Sequence, residues 1–206
     1  MTVEVTRRSP LAEWSARFAA LAPALRVAEE PRTSQLTVRV RDAAAATRVG
    51  EALGVALPSG PCTFTRGSGS HGTLEICWMG PDEYLVLGGP PTPEDTALDD
   101  TASEDTALED TVRAALAPAA GAVVDVSGQR TLLTLSGPRA REVLAHGCSV
   151  DLHPSVAGTG TCVQTLLART GIVLLVRDAA RAGFALLVRS SFAEYCAAWL
   201  LDAATE

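Results

Sequence analysis

The feature that most constrains this chain is an order of predicted elements that occurs twice. Residues 34–118 and 121–206 each predict a strand, a helix, three strands and a final helix. The strands at residues 84–87 and 184–188 occupy equivalent places in the two halves. Short turns that contain glycine join the strands, and such turns favour antiparallel pairing. We therefore predict an α+β domain made of two related halves with largely antiparallel sheets.

The boundaries of the opening elements follow from local patterns. After Ser34 the sequence alternates through residues 36–41, with Leu36, Val38 and Val40 on one face and polar side chains on the other, as in a strand with one buried face. Asp42 is suited to cap the helix that follows, and Gly54 to end it. The first half thus begins with a strand and a helix that is complete before residue 55.

The two ends of the chain predict helices of different kinds. Residues 1–33 predict an amino-terminal arm with one short amphipathic helix that begins at Ser9. The domain proper covers residues 34–206. Its last helix has one apolar stripe, and either Ser190 or Ser191 is placed to cap it.

The negative charge of the chain is concentrated in one segment. The formal net charge is -7, and residues 94–113 contain eight acidic residues and one arginine. The rest of the chain is balanced and has no dense basic run, so nucleic acid and anionic membranes are excluded as expected partners. Within the segment, two near-identical stretches start at Glu94 and Glu104. We predict a flexible acidic insert at about residues 90–104, followed by a helix that ends near Pro118.

Composition also limits the possible chemistry and location. All 17 basic residues are arginine, so Schiff-base catalysis and a phosphate loop with its lysine are excluded. The five cysteines are scattered and odd in number, and no apolar stretch approaches the ~20 residues that span a bilayer. We expect a cytoplasmic protein.

A glycine-rich segment matches the dinucleotide-binding pattern only superficially. Gly67, Gly69 and Gly72 have the G-x-G-x-x-G spacing. The pattern requires a helix directly after the glycines, because the amides of that helix bind the pyrophosphate. Residues 73–79 predict a strand instead, which favours the turn of a β-hairpin over a nucleotide site.

Two other groups of polar residues could form sites but have simpler structural interpretations. His146, Cys148, Asp151 and His153 lie close in sequence but match no standard zinc spacing. A second group flanks a predicted turn, where turn chemistry explains its residue types. That group consists of Asp125, Ser127 and Gln129.

The cysteines complete the search for reactive groups. Cys77 and Cys162 lie in predicted strands, and Cys196 lies on the apolar stripe of the last helix, which predicts buried, inert thiols. The remaining two, Cys62 and Cys148, have no catalytic partner in the sequence either. We therefore assign no catalytic, cofactor-binding or metal-binding residue.

An ordered set of short motifs resembles a known family. The motifs are WMGPDEYL at 78–85, VDVSGQRT at 124–131, LSGPRAREVLA at 135–145, CSVDLHP at 148–154, GTCVQTLLAR at 160–169 and VRSSFAEY at 188–195. Together they are similar to the gamma subunit of heterotetrameric sarcosine oxidase, over roughly residues 35–203. Two features depart from that pattern, Val156 where the family tends to have an aromatic residue, and the acidic near-repeat.

The resemblance implies a fold related to the folate-binding domains of the glycine-cleavage aminomethyltransferase. It also implies a non-catalytic structural subunit of a complex that oxidatively demethylates sarcosine to glycine. Formaldehyde or methylene-tetrahydrofolate and hydrogen peroxide would be the co-products. FAD, FMN, NAD, zinc and tetrahydrofolate would belong to the other subunits. The expected partners are the alpha, beta and delta subunits, with direct contact to the large alpha subunit.

A different class of function remains open at this point. The related fold also occurs in folate-dependent transferases, so a stand-alone folate-binding or aminomethyltransferase-like protein is the alternative. A full enzyme of that type would need a further carboxy-terminal barrel domain, and this sequence stops at Glu206. Length therefore favours the subunit.

Overall fold

The computed structural model describes residues 9–30, 34–88 and 101–205, of which residues 101–106 are described as backbone only. Its helices are α1 (Ser15–Ala19), α2 (Ala43–Leu53), α3 (Thr101–Leu116), α4 (Ala140–Ala145) and α5 (Ala193–Ala203). Its strands are β1 (Arg26–Glu30), β2 (Gln35–Val40), β3 (Phe64–Gly69), β4 (Gly72–Gly80), β5 (Glu83–Gly88), β6 (Gly121–Asp125), β7 (Arg130–Ser136), β8 (Cys162–Leu167), β9 (Thr170–Asp178) and β10 (Gly183–Arg189).

The strands form two antiparallel sheets of five. The first sheet has the order β3-β4-β5-β2-β6, and the second has the order β8-β9-β10-β7-β1. Every pairing in both sheets is antiparallel. The two orders are equivalent once each half is numbered from its own first strand. The predicted α+β class, the duplication and the antiparallel pairing are therefore confirmed.

The two halves exchange their leading strands. β1 precedes the first half but pairs with β7 in the second sheet, while β6 precedes the second half but pairs with β2 in the first sheet. β1 was not predicted, because its five residues show no clear alternation of apolar and polar side chains. In the structure Val27 is its one buried residue. Residues 26–30 thus belong to the second sheet rather than to a separate arm. This exchange joins the halves into one folding unit.

Three apolar layers hold the molecule together. Buried residues of both sheets, and of no helix, meet in an inner layer that includes Leu85, Leu87, Leu132 and Leu187. The outer face of the first sheet packs against α2 and α3. The outer face of the second sheet packs against α1, α4 and α5. The architecture is therefore helix, sheet, sheet, helix, with the two sheets face to face.

The caps predicted for two helices have different outcomes in the structure. Asp42 Oδ1 accepts a hydrogen bond from the backbone N–H of Ala45 at 2.7 Å, and Gly54 ends α2 with φ +69°, as predicted. The predicted serine cap of α5 is wrong. A 3-10 turn precedes α5, the cap residue is Phe192, and the Ser190 hydroxyl instead donates to the Gly128 carbonyl at 3.1 Å.

Helix α3 begins earlier than the sequence indicated. It starts at Thr101, so residues 101–104 of the segment expected to be flexible are helical, while residues 89–100 lie outside the described residues. Leu108, Val112 and Leu116 recur every fourth residue and are buried against α2 and the first sheet. This packing stabilises the carboxy-terminal half of the helix. In the described part of the chain no helix is both long and apolar enough to cross a membrane.

Candidate functional site

The glycine-rich segment lies at the closed end of the β3–β4 hairpin, where Gly67 and Gly69 belong to β3 and Gly72 begins β4. Each of these glycines has a steric or backbone reason. A Cβ atom on Gly67 would lie 2.9 Å from Val55 Cγ2, and one on Gly69 would lie 2.2 Å from the Leu53 carbonyl oxygen. Gly72 has φ +74°, which L-residues rarely adopt. β4 follows without an intervening helix. The predicted hairpin is confirmed, and helix amides for a pyrophosphate are missing at this place.

The group around His146 serves the local backbone. His146 is the C-cap residue of α4, and Cys148 is buried in the outer layer of the second sheet. Asp151 Oδ1 accepts from the His153 backbone N–H at 2.8 Å, and His153 Nδ1 is 2.7 Å from the Ser155 hydroxyl. Within the described ranges, no set of three His, Cys, Asp or Glu residues is arranged to hold a metal ion.

The residues around the β6–β7 turn hold strands together. Asp125 Oδ1 accepts from the backbone N–H and the hydroxyl of Ser127, at 2.8 and 2.5 Å. The Ser127 hydroxyl in turn accepts from the Gln35 N–H at 3.0 Å, and the Gln129 carbonyl accepts from the Ser190 N–H at 3.0 Å. The Asp125 and Ser127 side chains and the Gln129 backbone are thus engaged within the fold.

Four of the five thiols are buried. Cys62 is exposed, whereas Cys77, Cys148, Cys162 and Cys196 are buried, as expected for the two strand cysteines and for Cys196. A hydrogen bond with Cys162, together with burial, raises the pKa of Cys77 well above its ordinary value. Burial raises the pKa of Cys196 to about 12. Since the thiolate is the reactive form, Cys77 and Cys196 are poor nucleophiles.

The structure brings His71 within hydrogen-bond distance of the Thr111 hydroxyl, but the direction of the hydrogen bond does not suit catalysis. His71 Nε2 is 3.1 Å from Thr111 Oγ1. The Thr111 hydroxyl donates its proton to the Ala107 carbonyl at 2.9 Å, so the histidine is left as the donor to Thr111 Oγ1. A general base would have to accept that proton. The contact instead fastens the β3–β4 turn to α3.

An ion cluster that was not predicted from the sequence lies between the sheets. Arg177 on β9 donates from Nε and Nη2 to the two carboxylate oxygens of Glu75 on β4, at 2.8 and 2.7 Å. Its Nη1 donates to Glu30 on β1 at 2.6 Å. The side chain of Glu75 is 5% exposed, and those of Arg177 and Glu30 are 17% and 16% exposed. Arg66 Nη1 lies 3.6 Å from Glu75.

The electrostatics of this cluster favour a permanent ion pair. Burial opposes the charge of Arg177, but hydrogen bonds and charge attraction from Glu75 and Glu30 outweigh it and raise the pKa of Arg177. A signal for the cluster is present in the sequence, because Glu75 interrupts an apolar strand. The partner on a distant strand could not be read from it.

A buried amide lies on the same inner face of the sheets. Gln35 on β2 is 2% exposed and donates from Nε2 to the Arg130 carbonyl at 2.8 Å. Its Oε1 is buried with no hydrogen-bond partner among the described residues. Glu75 and Gln35 both pair with Leu87, so buried polar groups lie directly beside the apolar residues of the inner layer.

Comparison with known proteins adds a family context. A family model described as "Sarcosine oxidase, gamma subunit family" matches residues 38–206. A sarcosine oxidase subunit gamma of Corynebacterium sp. (strain P-1) is 34% identical over 184 residues, which cover 82% of this chain and 81% of that protein. That of Corynebacterium sp. (strain U-96) is 33% identical over 205 residues, covering 97% and 91%.

Solved structures agree with these sequence relationships. A chain of heterotetrameric sarcosine oxidase from Corynebacterium sp. U-96 superposes with a TM-score of 0.80 at 31% identity, covering 97% of this chain and 95% of that one. Glycine cleavage system aminomethyltransferase T from Bartonella henselae gives a TM-score of 0.59 at 16% identity. It is covered over 48% of its length, and it shares the fold alone.

Proposed function

The chain belongs to the sarcosine oxidase gamma subunit family, and on this premise we propose that it is a non-catalytic structural subunit of a sarcosine oxidase complex. The complex would oxidatively demethylate sarcosine to glycine. The single observation that carries the proposal is the match to a chain of the heterotetrameric enzyme along 97% of this chain. A match of this extent compares both halves of the chain with the solved structure and does not depend on one short motif.

The roles of the polar residues support a structural subunit. Each candidate group from the sequence serves a turn, a helix end or a contact between strands in the described part of the chain. We propose that FAD, FMN, NAD, zinc and tetrahydrofolate are held by the other subunits. We also propose that the alpha subunit contacts this chain directly, and that the complex resides in the cytoplasm, where free thiols such as these five are usual.

Reconstitution tests the proposal. The chain would be expressed with a tag, alone and together with the other three subunits, and each preparation assayed for flavin absorbance and sarcosine oxidation. We expect the chain alone to be colourless and inactive, and to co-purify with the other subunits in an active complex. Stoichiometric flavin in the isolated chain, or an active complex that excludes it, would refute the proposal.

The shared fold with an aminomethyltransferase favours one second candidate, a stand-alone folate-binding protein. The isolated chain can be titrated with tetrahydrofolate while its tryptophan fluorescence is followed, since Trp14, Trp78 and Trp199 are intrinsic probes. Saturable binding by the isolated chain would favour this candidate. Binding only in the assembled complex would favour the structural subunit.

A further inference from the structure

Two arginines face each other at one end of the inner layer. Arg130 on β7 and Arg189 on β10 are directly opposite in the antiparallel register. Strand alternation places them on the same face as Leu132 and Leu187, which belong to the inner layer. Side chains at such positions start from Cβ atoms about 5 Å apart, and like charges there destabilise a sheet.

Neither arginine forms an ion pair with an acid among the described residues. In the part of the chain that the structure describes, neither Arg130 nor Arg189 donates a side-chain hydrogen bond either. Arg130 is half-buried and Arg189 is exposed. Burial, and next the charge of Arg189, lower the pKa of Arg130. The fold therefore keeps a positive charge that is partly removed from water and only incompletely compensated.

Glu83 on β5, whose charge acts on Arg130, and its neighbour Asp82 are already engaged by other arginines. Asp82 accepts from Arg39 at 3.1 Å and from Arg41 at 2.7 Å. Glu83 lies 4.0 Å from Arg39, and its charge only partly offsets the effects on Arg130. Other arginines thus hold these acids, and the Arg130–Arg189 pair remains available.

The surface beside the pair is apolar and open. Leu166 on β8 is 56% exposed and lies opposite Gly171 on β9, where an added Cβ would meet no atom within 4 Å. Val188 on β10 pairs with Ile172 on β9, so the next residue, Arg189, lies beside Gly171. Leu166 and Arg189 therefore flank Gly171 from opposite sides. An open position on the sheet surface thus lies between an exposed leucine and a pair of arginines. Arginine is enriched in protein interfaces, so this surface is suited to contact a partner protein.

We propose that the Arg130–Arg189 pair, with Leu166 beside it, binds a carboxylate side chain of a partner subunit. A guanidinium presents two parallel N–H groups that match a carboxylate, and a second guanidinium opposite it allows one acidic residue to neutralise both. The inference rests on the proposed function, since it requires the partner subunits. It adds the chemistry of the contact and the residues of this chain that make it.

The test uses a charge-neutral double variant and the assembled enzyme. R130Q/R189Q would be compared with wild type for the Kd of the chain toward the complex of the other three subunits. R26Q/R181Q is the matched control, because Arg26 and Arg181 are exposed and the variant loses the same charge. We expect R130Q/R189Q to raise the Kd about 100-fold, as for truncation of a desolvated charge pair, and the control to leave it within about threefold.

Stability of the isolated chain separates binding from folding. Because the two guanidinium groups repel each other, R130Q/R189Q should leave the unfolding midpoint of the isolated chain unchanged or raised. A lowered midpoint would mean that an acid within the chain already pairs with the arginines, and would overturn the proposal. Equal weakening by both double variants would also overturn it, since long-range attraction would then explain the binding.

A cross-linking arm identifies the occupant. A photoreactive residue at position 166 in the assembled complex should label a partner peptide that contains Asp or Glu, and labelling without an acidic residue would contradict the proposal. Saturable binding of succinate to the isolated chain, lost in R130Q/R189Q, would assign the site to a small anion instead. If the wild-type chain does not assemble, the proposed function fails; if it assembles and R130Q/R189Q binds equally well, this inference alone fails.

Discussion

Arg177 donates two parallel hydrogen bonds to Glu75 and thereby joins β9 of the second sheet to β4 of the first. The two residues are 102 positions apart in the sequence. Their bidentate geometry is the strongest form of side-chain ion pair, and Glu30 on the exchanged strand β1 supplies a second carboxylate. One guanidinium thus connects both sheets and the strand that links the two halves.

Glu75→Gln should destabilise the chain. The change leaves Arg177 with Glu30 alone, so we expect a loss of about 3 kcal/mol in the free energy of unfolding, at the lower end for a broken buried pair. Urea denaturation at neutral pH measures it. Glu142→Gln is the control, because Glu142 pairs with Arg139 at 2.8 Å on the exposed surface, and should change stability much less. Equal losses would mean that the buried pair has no special role.

Cys196 should make the stability of the chain depend on alkaline pH. Its pKa is raised by burial from the ordinary value of 9.0 to about 12, so the native state keeps a proton that the unfolded state releases. The contribution is fully present below pH 9.0 and is lost as the pH rises toward 12. The slope from this thiol is about 1.4 kcal/mol per pH unit.

Comparing wild type with Cys196→Ala isolates this contribution. Tyr84, whose pKa burial also raises, adds to the alkaline dependence of both proteins equally. Free energies of unfolding measured from about pH 8 to about pH 11 should therefore fall less steeply in the variant. Parallel curves would show that Cys196 does not retain its proton in the native state.

Gly69→Ala should disrupt the contact between α2 and the β3–β4 hairpin. The new methyl group would lie 2.2 Å from the Leu53 carbonyl oxygen, so the backbone must shift, and we expect a cost of about 3 kcal/mol. Gly60→Ala is the matched control, since no heavy atom lies within 4 Å of its added Cβ. Thermal unfolding of the two variants measures the difference. A Gly69→Ala protein as stable as Gly60→Ala would contradict the packing role.

Thiol labelling should distinguish Cys62 from the other cysteines. Iodoacetamide is expected to modify one cysteine, the exposed Cys62, in the native isolated chain, and all five after denaturation. Intact mass spectrometry counts the adducts. Cys62→Ser should take no label before unfolding. Rapid native labelling of that variant would show that a buried thiol is accessible.

Deleting residues 94–103 should leave the fold intact. The deletion removes four carboxylates, so the net charge changes from -7 to -3. It also removes the first three residues of α3 but keeps its buried side chains, and shortening a connection changes closure entropy by only about 0.6 kcal/mol per halving. Leu108→Ala, which truncates a residue that is 3% exposed, should cost about 2 kcal/mol or more. A deletion as damaging as that change, or one that abolishes assembly, would make the segment a structural or binding element.

Sequence reasoning succeeded where the determinants are local. The alternation in β2, the Asp42 cap and the hairpin turn at Gly72 each depend on contacts within a few residues, and each was predicted. It failed for the start of α5. The Ser190 hydroxyl there donates to the Gly128 carbonyl in the β6–β7 turn, a contact that competes with capping and is invisible in the sequence.

The sequence by itself determined the duplicated order of elements, the antiparallel class and the alternating faces of β2, because side-chain alternation and turn residues are encoded along the chain. Tertiary structure alone decided the exchange of β1 and β6 and the meeting of Arg177 with Glu75 and Glu30. It also decided that Arg130 and Arg189 lie opposite each other, with no ion pair to an acid among the described residues. Those relationships depend on which strands become neighbours. Residues more than fifty positions apart in the sequence come close in space only when the sheets assemble.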